Sequence, residues 1–317
     1  MNNENDTSHH ILVTGGSGFI GHHLVKQLSS SYHVTVIDLV APNSPVKDVD
    51  YIQADISELS GEDIGPTVDG IIHLAAISRV ITAEYHALPT WTTNVEGTQH
   101  LLSLLYSREK KPWFIYGSSR EVYGEPISFP VTESHPLLPM NRYAQSKLAA
   151  EHLVSLYSNS CAVPSMILRF SNVYGDINDQ LDRVIPKFIL QALDGEDLEL
   201  QGATNTFDFT HISDTVQGIL LAIQSLTTRS DSSCRRYNIC TGQGTTLRKL
   251  ADLTIELTNS SSRTIETSSR TFDVGSYWGD FLRAKTELGY SPTIPLREGL
   301  SGLVAKFQTI EIEEVTL

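Results

Sequence analysis

The 317-residue chain predicts an α/β fold: a doubly wound parallel sheet with crossover helices, followed by a smaller C-terminal lobe. Three observations predict it. Short apolar strands alternate with helical segments as far as Phe170, the order that a parallel sheet with crossover helices requires. A glycine-rich run, Gly15-Gly16-Ser17-Gly18, joins the first strand to the first helix. Hydrophobic residues make up 40% of the chain and charged residues 19%, so a sizeable core can be buried.

The elements follow in order. HILVT at 10–14 is a short apolar strand, and 19–29 is the helix after it. YHVTVIDL (32–39) is a second strand, 49–54 a third and GIIHL (70–74) a fourth. Residues 92–106 read as a helix and WFIYG (113–117) as a fifth strand. Residues 141–157 form a long helix with apolar residues at helical spacing, and SMILRF (165–170) is a sixth strand. After about Asn172 short elements are separated by polar stretches such as 227–233 and 259–267. An apolar helix near 211–226 wants a sheet to pack on, so the chain is expected to return to the large domain there.

Composition excludes several function classes. Against 37 Asp and Glu stand 23 Lys and Arg, a formal net charge of −14. Such a surface repels phosphate backbones, so no nucleic-acid partner is expected. An anionic substrate would need local arginines or helix N-termini to hold it. Cys161, Cys234 and Cys240 are odd in number and match no zinc spacing, so they are expected to be reduced thiols of an intracellular protein. No apolar run approaches membrane-spanning length. Residues 1–8 are polar and lack a signal-peptide core. No membrane partner and a cytoplasmic location are expected. Metal sites are not indicated: the pairs His9-His10 and His22-His23 are adjacent residues, which do not share one helix face.

The segment VTGGSGFIG (13–21) has the chemistry of a dinucleotide site. Glycines permit a tight turn, let the backbone reach a pyrophosphate and let helix pack on strand. The helix N-terminus then offers N–H groups and a positive dipole end. Asp38, at the end of the second strand, can accept hydrogen bonds from a ribose diol and would repel a 2′-phosphate, which favours NAD over NADP. Gly15, Gly18, Phe19, Ile20, Gly21 and Asp38 are therefore candidate NAD contacts. Asp55 could meet the adenine amino group with Ile56 against the ring, or simply make a polar turn. Leu74, Ala75 and Ala76 follow the fourth strand at the sheet's carboxyl edge, where small side chains let a cofactor lie close. His73 just before them is expected to be structural.

Ser118 and Ser119 follow the fifth strand, and Tyr143 and Lys147 lie four apart on one face of the long helix. A tyrosine hydroxyl is a poor base at its ordinary pKa near ~10. A lysine ammonium one turn away, with the positive nicotinamide ring, stabilises the phenolate. Tyr143 could then remove a hydroxyl proton as hydride leaves the carbon, with a serine holding the same oxygen and Lys147 on the nicotinamide ribose. The bland alternative is a helix bearing an aromatic and a solvated lysine.

At these residues the chain resembles the extended short-chain dehydrogenase/reductases, in the nucleotide-sugar epimerase/dehydratase branch. The matching segments are TGGSGFIG (14–21), HLAA (73–76), NVEGT (94–98), SSREVYGE (118–125), YAQSK (143–147), RFSNVYG (169–175), DFTHISD (208–214) and RTFDVGSYWGD (270–280). The resemblance implies a Rossmann-type domain over 1–172, with a return of 206–240, and a mainly nucleotide-sugar-binding lobe over 173–317. It implies Ser119, Tyr143 and Lys147 as catalytic, and Asn94 as a further cofactor contact beside Asp55 and Ile56. Asn172 aligns with the residue that touches the substrate diphosphate or sugar, and Arg270 with the arginine that grips the diphosphate, a task that guanidinium geometry suits. It also implies a homodimer, formed through the helices near 92–106 and 141–157, with Leu148, Leu153 and Leu156 available on the second.

Two departures from the family pattern matter. Phe207 stands where members usually carry an arginine, so one phosphate clamp is missing and Arg183 or another residue is expected to substitute. Arg120-Glu121 stands where simple 4-epimerases carry small residues. Glu121 occupies the place of the glutamate of 4,6-dehydratases and decarboxylases, where a carboxylate can remove the C5 proton of a 4-keto sugar. Arg120 could hold a sugar carboxylate; alternatively Glu121 ion-pairs with a neighbour. The 270–280 segment resembles that of the hexose 4-epimerases, so the expected function is an NAD-dependent 4-epimerase acting on a UDP- or dTDP-sugar through a 4-keto intermediate. The alternatives are a dehydratase or decarboxylase using Glu121, and a non-catalytic NAD-binding protein.

Overall fold

The structure, a computed structural model, describes residues 9–228 and 232–315. Residues 1–8, expected as a polar leader, and 229–231 of the polar stretch lie outside the described residues. The chain divides into two compact units.

The first unit takes in the chain through Val122, Asn141–Arg169 and Ile219–Tyr237. Its strands are β1 (His10–Thr14), β2 (His33–Asp38), β3 (Val49–Gln53), β4 (Gly70–His73), β5 (Trp113–Ser119) and β6 (Ser165–Phe170). After β7 (Asn172–Tyr174), β8 (Leu198–Gln201) and β9 (Thr206–His211) of the second unit comes β10 (Cys234–Ile239), which completes a seven-stranded sheet. The order is β10-β6-β5-β4-β1-β2-β3, and β3, β2, β1, β4 and β5 pair in parallel. Strands β1, β4, β5 and β6 are buried along their whole length, which is why they read as near-continuous apolar runs: helices cover both faces of such a sheet. One side of the core gathers Leu12, Ile37, Ile71, Phe114 and Ile167 of the strands with Leu101, Leu105 and Val154 of the helices.

The order reverses at β1, which has β2 on one side and β4 on the other. In open α/β sheets this switch point, at the carboxyl ends of the strands, is where ligands bind. The loops 15–18 and 74–76 both start there.

The expected helix 92–106 is instead a π-helical turn, Thr92–Glu96, continuing as the α-helix Gly97–Tyr106. Short helices Val80–Tyr85 and Ala87–Trp91 precede it. The long helix runs Arg142–Cys161. No helix of the described residues is long and apolar enough to cross a membrane.

The second unit holds Tyr123–Met140, Phe170–Gly218 and the chain from Asn238 onward. The units thus interleave, where the sequence suggested one break near 172 and a return over 206–240. Residues 123–140 belong with the second unit, and the return spans 219–237. In this unit β9 pairs in parallel with β7 and with β13 (Ser276–Tyr277), and antiparallel with β11 (Gly244–Thr246). β8 pairs with β12 (Thr264–Thr267). Phe188, Leu200, Phe207, Phe209, Leu250 and Leu303 form its core. Asp208, buried on β9, accepts from Thr241 N, Thr241 Oγ1 and Gly242 N at 2.7–2.9 Å. Burial pushes its carboxyl up and these donors pull it back.

Candidate active site

The glycine loop is built by exclusion. Gly15 has φ +74, and a Cβ there would lie 2.5 Å from Ala75 N. A Cβ on Gly21 would lie 2.1 Å from the Gly15 oxygen. Backbone occupies both places, so neither residue can be anything but glycine without moving the loop. Gly18 differs: it is exposed, and a Cβ there would find only the Gly15 oxygen, at 3.3 Å. Its missing side chain therefore leaves open room above the loop. Gly18 also precedes the helix Phe19–Leu28, which starts without a side-chain cap and without an acidic residue in its first turn. Uncapped N–H groups and the positive dipole end there suit a phosphate.

Asp38 ends β2 beside this loop. One carboxylate oxygen accepts from Ser17 N at 2.9 Å and the other from Val40 N at 3.1 Å. A carboxylate has about four lone-pair sites, so these bonds aim the group and leave it able to take a ribose diol. Open room at Gly18, an uncapped helix start and an aimed carboxylate fit a dinucleotide. Asp55 closes a turn on Ser57, accepting from its N at 2.8 Å and its Oγ at 2.7 Å. Ile56 is buried in the core, packed where Gly97 leaves space for it; its side chain is a core residue rather than an open ring-stacking face.

The helix Arg142–Cys161 presents Tyr143 and Lys147 to the interior, both buried. Lys147 Nζ donates to the Gly117 oxygen at 2.8 Å and lies 4.8 Å from the centre of the Tyr116 ring. Burial lowers its pKa to about 7, and the Glu151 carboxylate one turn on works the other way. A lysine so weakened responds readily to a new charge beside it. The two serines, adjacent on β5, point to opposite faces. Ser118 Oγ donates to Glu151 Oε1 at 2.6 Å, while Ser119 Oγ accepts from Glu121 N at 3.2 Å.

Glu121 is held at both oxygens. Arg120 Nη2 sits 2.7 Å from Oε1, with both side chains only 9% exposed. Asn141 Nδ2 donates to Oε2 at 2.9 Å. The same asparagine is the N-cap of the long helix, its Oδ1 accepting from Ala144 N at 2.8 Å. Glu121 is therefore tied to the start of the helix that carries Tyr143.

Further residues support the site that motif reading passed over. Glu151 receives Arg169 in a bidentate pair, Nε to Oε1 at 2.9 Å and Nη2 to Oε2 at 2.7 Å. This buried pair joins β6 to the long helix. Glu151 lies four residues after Lys147 and Asn141 directly precedes the helix, so i,i+4 spacing and N-cap preference were the available signals. Asn94 is a clamp: its Oδ1 accepts from Ile77 N at 2.8 Å, and its Nδ2 donates to Ile77 O at 3.0 Å and to Ser146 Oγ at 2.9 Å. The π-helical turn around it fits the frequent appearance of such turns at functional sites. His73 bridges Thr14 Oγ1 at 2.6 Å and Thr98 Oγ1 at 2.9 Å. Burial lowers its pKa to about 3, so it is a neutral strut.

The remaining candidates belong to the second unit. Asn172 begins β7. Arg183 is the N-cap of the helix Val184–Leu193 and pairs with Asp179 at 3.5 Å. Arg270 is exposed, donating from Nε to Asp273 Oδ2 at 2.7 Å over the Phe272 ring. Phe207 is buried and meets Phe209 edge to face; it serves packing where the family arginine would serve phosphate.

The chain is similar to known proteins over nearly its whole length. The profile of the NAD dependent epimerase/dehydratase family matches residues 11–240. UDP-glucuronic acid decarboxylase 6 of Arabidopsis thaliana is 33% identical over 305 residues, which cover 92% of this chain and 86% of that one. A solved UDP-glucose 4-epimerase of Thermotoga maritima, with UDP-glucose, superposes at a TM-score of 0.88 with 27% identity over 95% of this chain and 99% of that one. The UDP-glucuronic acid 4-epimerase of Bacillus cereus, solved with UDP-glucuronic acid and NAD, superposes at 0.87 with 30% identity and the same coverage. The chain belongs to the NAD-dependent epimerase/dehydratase family, enzymes of the extended short-chain dehydrogenase/reductase type that work on nucleotide sugars with NAD as cofactor.

Proposed function

We propose that the chain is an NAD-dependent 4-epimerase of a UDP- or dTDP-hexose. The observation that carries this reading is the engagement of Glu121. An elimination needs a carboxylate ready to take the C5 proton; here Glu121 is committed to a buried ion pair with Arg120, whose charge it balances, and Asn141 holds its second oxygen in place. A 4-epimerase needs no such base.

The glycine loop and Asp38 would hold NAD, which would supply a reversible hydride acceptor for C4. Gly15, Gly18, Gly21, Phe19 and Ile20 shape the phosphate end of its site, and Leu74, Ala75 and Ala76 line the middle. The Tyr143 phenolate takes the C4 hydroxyl proton while Ser119 Oγ donates to the same oxygen. Lys147 stabilises that phenolate: a negative oxygen beside an ammonium favours the charged lysine, which burial alone disfavours. Once the keto sugar has turned its other face, Tyr143 gives the proton back. Asn172, Arg183 and Arg270 hold the diphosphate and sugar. The helices Gly97–Tyr106 and Arg142–Cys161 pair with those of a second copy, and the exposure of Tyr106 and Leu156 supports that homodimer.

A second reading, decarboxylation or dehydration, has its own support: Glu121 lies in the 3-10 turn Arg120–Tyr123 directly after Ser119, and a relative is named a UDP-glucuronic acid decarboxylase. Mass spectrometry and chromatography of UDP- and dTDP-hexoses and hexuronic acids incubated with the enzyme and NAD separate the two. Unchanged mass with altered retention is the expected result; loss of water or carbon dioxide would establish the second reading. Tyr143→Phe should abolish turnover while NAD stays bound, and surviving turnover would remove Tyr143 as the base.

A further inference from the structure

We propose that Arg120 determines the reaction's specificity: by holding the Glu121 carboxylate it stops that group from taking the C5 proton of a 4-keto sugar, and so confines the chemistry to C4. This rests on the 4-epimerase reading above. Glu121 stands two residues after Ser119 and its own N–H bonds to Ser119 Oγ at 3.2 Å, so on the 4-epimerase reading it adjoins the hydroxyl assigned to the C4 oxygen. A ketone at C4 makes the C5 hydrogen acidic. If a carboxylate oxygen reached it, the C5–H pair would pass into an enolate whose charge rests on O4, and the proton would pass to the carboxylate. Once that carboxyl proton has exchanged with solvent, reprotonation at C5 from the same group would install a solvent hydrogen; if the carboxyl proton went instead to the C6 hydroxyl, the enolate would expel it as water and complete a dehydration. The starting carboxylate is not at liberty to do this. It faces a guanidinium at 2.7 Å, with both side chains 9% exposed. Protonating it would strip a buried cation of its counter-charge. Its second oxygen is held by Asn141 at 2.9 Å, whose other end caps the Tyr143 helix, so moving Glu121 also disturbs the cap.

The test is solvent deuterium exchange. The NAD-loaded protein is incubated in D2O with UDP-glucose or UDP-galactose, exchangeable hydroxyl deuterons are washed out in water, and the recovered sugars are read by mass and by NMR at C5. Wild type should interconvert the epimers with no gain of mass. Arg120→Met should give sugar one mass unit heavier at C5, at least about tenfold above wild type per turnover. Arg120→Met with Glu121→Gln should lose that gain, and Arg120→Lys, which keeps the charge, should suppress it. If Arg120→Met loses its fold or its NAD, Arg120→Gln reads the same exchange. Epimerisation by the Arg120 variants without C5 deuterium overturns the inference and leaves the 4-epimerase reading standing. So does exchange that persists in the Glu121→Gln double variant. C5 deuterium in a wild-type epimer overturns the inference alone; a dehydrated product from wild type, or no turnover of any UDP- or dTDP-hexose, overturns both.

Discussion

Replacing Arg169 with Met should destabilise the protein by about 3 kcal/mol, the lower end of what is lost when one member of a buried ion pair is removed. The reasoning is local. Arg169 and Glu151 have side chains 0% and 1% exposed, and two hydrogen bonds of 2.9 and 2.7 Å join them. Methionine fills similar volume without charge, so the main loss is electrostatic. The stranded carboxylate keeps the Ser118 hydroxyl at 2.6 Å and the Arg236 guanidinium at 4.0 Å, which is why the lower end applies. Adding Glu151→Gln removes the stranded charge and leaves Ser118 an acceptor. The double variant should recover about 1 kcal/mol or more. Urea unfolding followed by circular dichroism, at one fixed NAD concentration, measures both. A single variant within about 1 kcal/mol of wild type, or a double variant no more stable than the single, would refute the assignment of this pair as an electrostatic unit.

Gly21→Ala places a methyl 2.1 Å from the Gly15 oxygen and should destabilise by about 1–3 kcal/mol. Gly18→Ala meets nothing closer than 3.3 Å, so the melting temperature of the NAD-free protein should hold while NAD affinity falls; unchanged NAD affinity would show that the room above Gly18 is not used. Stability should fall with acid through His73. Its folded value of about 3 lies below the ordinary 6.5, so between those values the unfolded chain binds a proton that the native chain does not. The contribution is complete above pH 6.5 and is lost as pH falls toward 3, by up to roughly 5 kcal/mol. Urea midpoints of wild type and His73→Gln should therefore converge between pH 6.5 and 4.5, and parallel curves would exclude it. Asp38→Ala should shift the NAD-to-NADP affinity ratio toward NADP by about tenfold, or 1.4 kcal/mol, with some loss of NAD affinity because Ser17 N and Val40 N lose their acceptor; fluorescence titration with each dinucleotide reads this.

Local pattern carried much of the fold. Strands at 10–14 and 165–170 are apolar runs buried on both faces, and both begin and end where expected. Strand β5 runs two residues past its apolar part, through Ser118 and Ser119; Glu151 of the long helix receives the Ser118 hydroxyl, and the Glu121 N–H donates to Ser119 Oγ. The helix expected over 92–106 opens instead as a π-helical turn, where Asn94 bonds both backbone groups of Ile77. No periodicity carries that information. The division into units was less legible: 123–140 packs with chain more than 30 residues away, as in the bond from Tyr123 Oη to Asn238 Oδ1 at 2.6 Å.

The glycines of the loop, the acid ending β2, the serine-bearing strand end and the Tyr143-Lys147 spacing are all short-range features. Chemistry read along the chain was enough to assign family and cofactor from them. Folding alone settled which serine is engaged elsewhere, what holds Lys147 and how Glu121 is restrained. Those answers depend on Glu151, Gly117 and Asn141, each on a different element from the side chain it holds. A side chain's availability for chemistry is set by the partners that burial forces on it, and the partners of a buried charge are chosen in three dimensions.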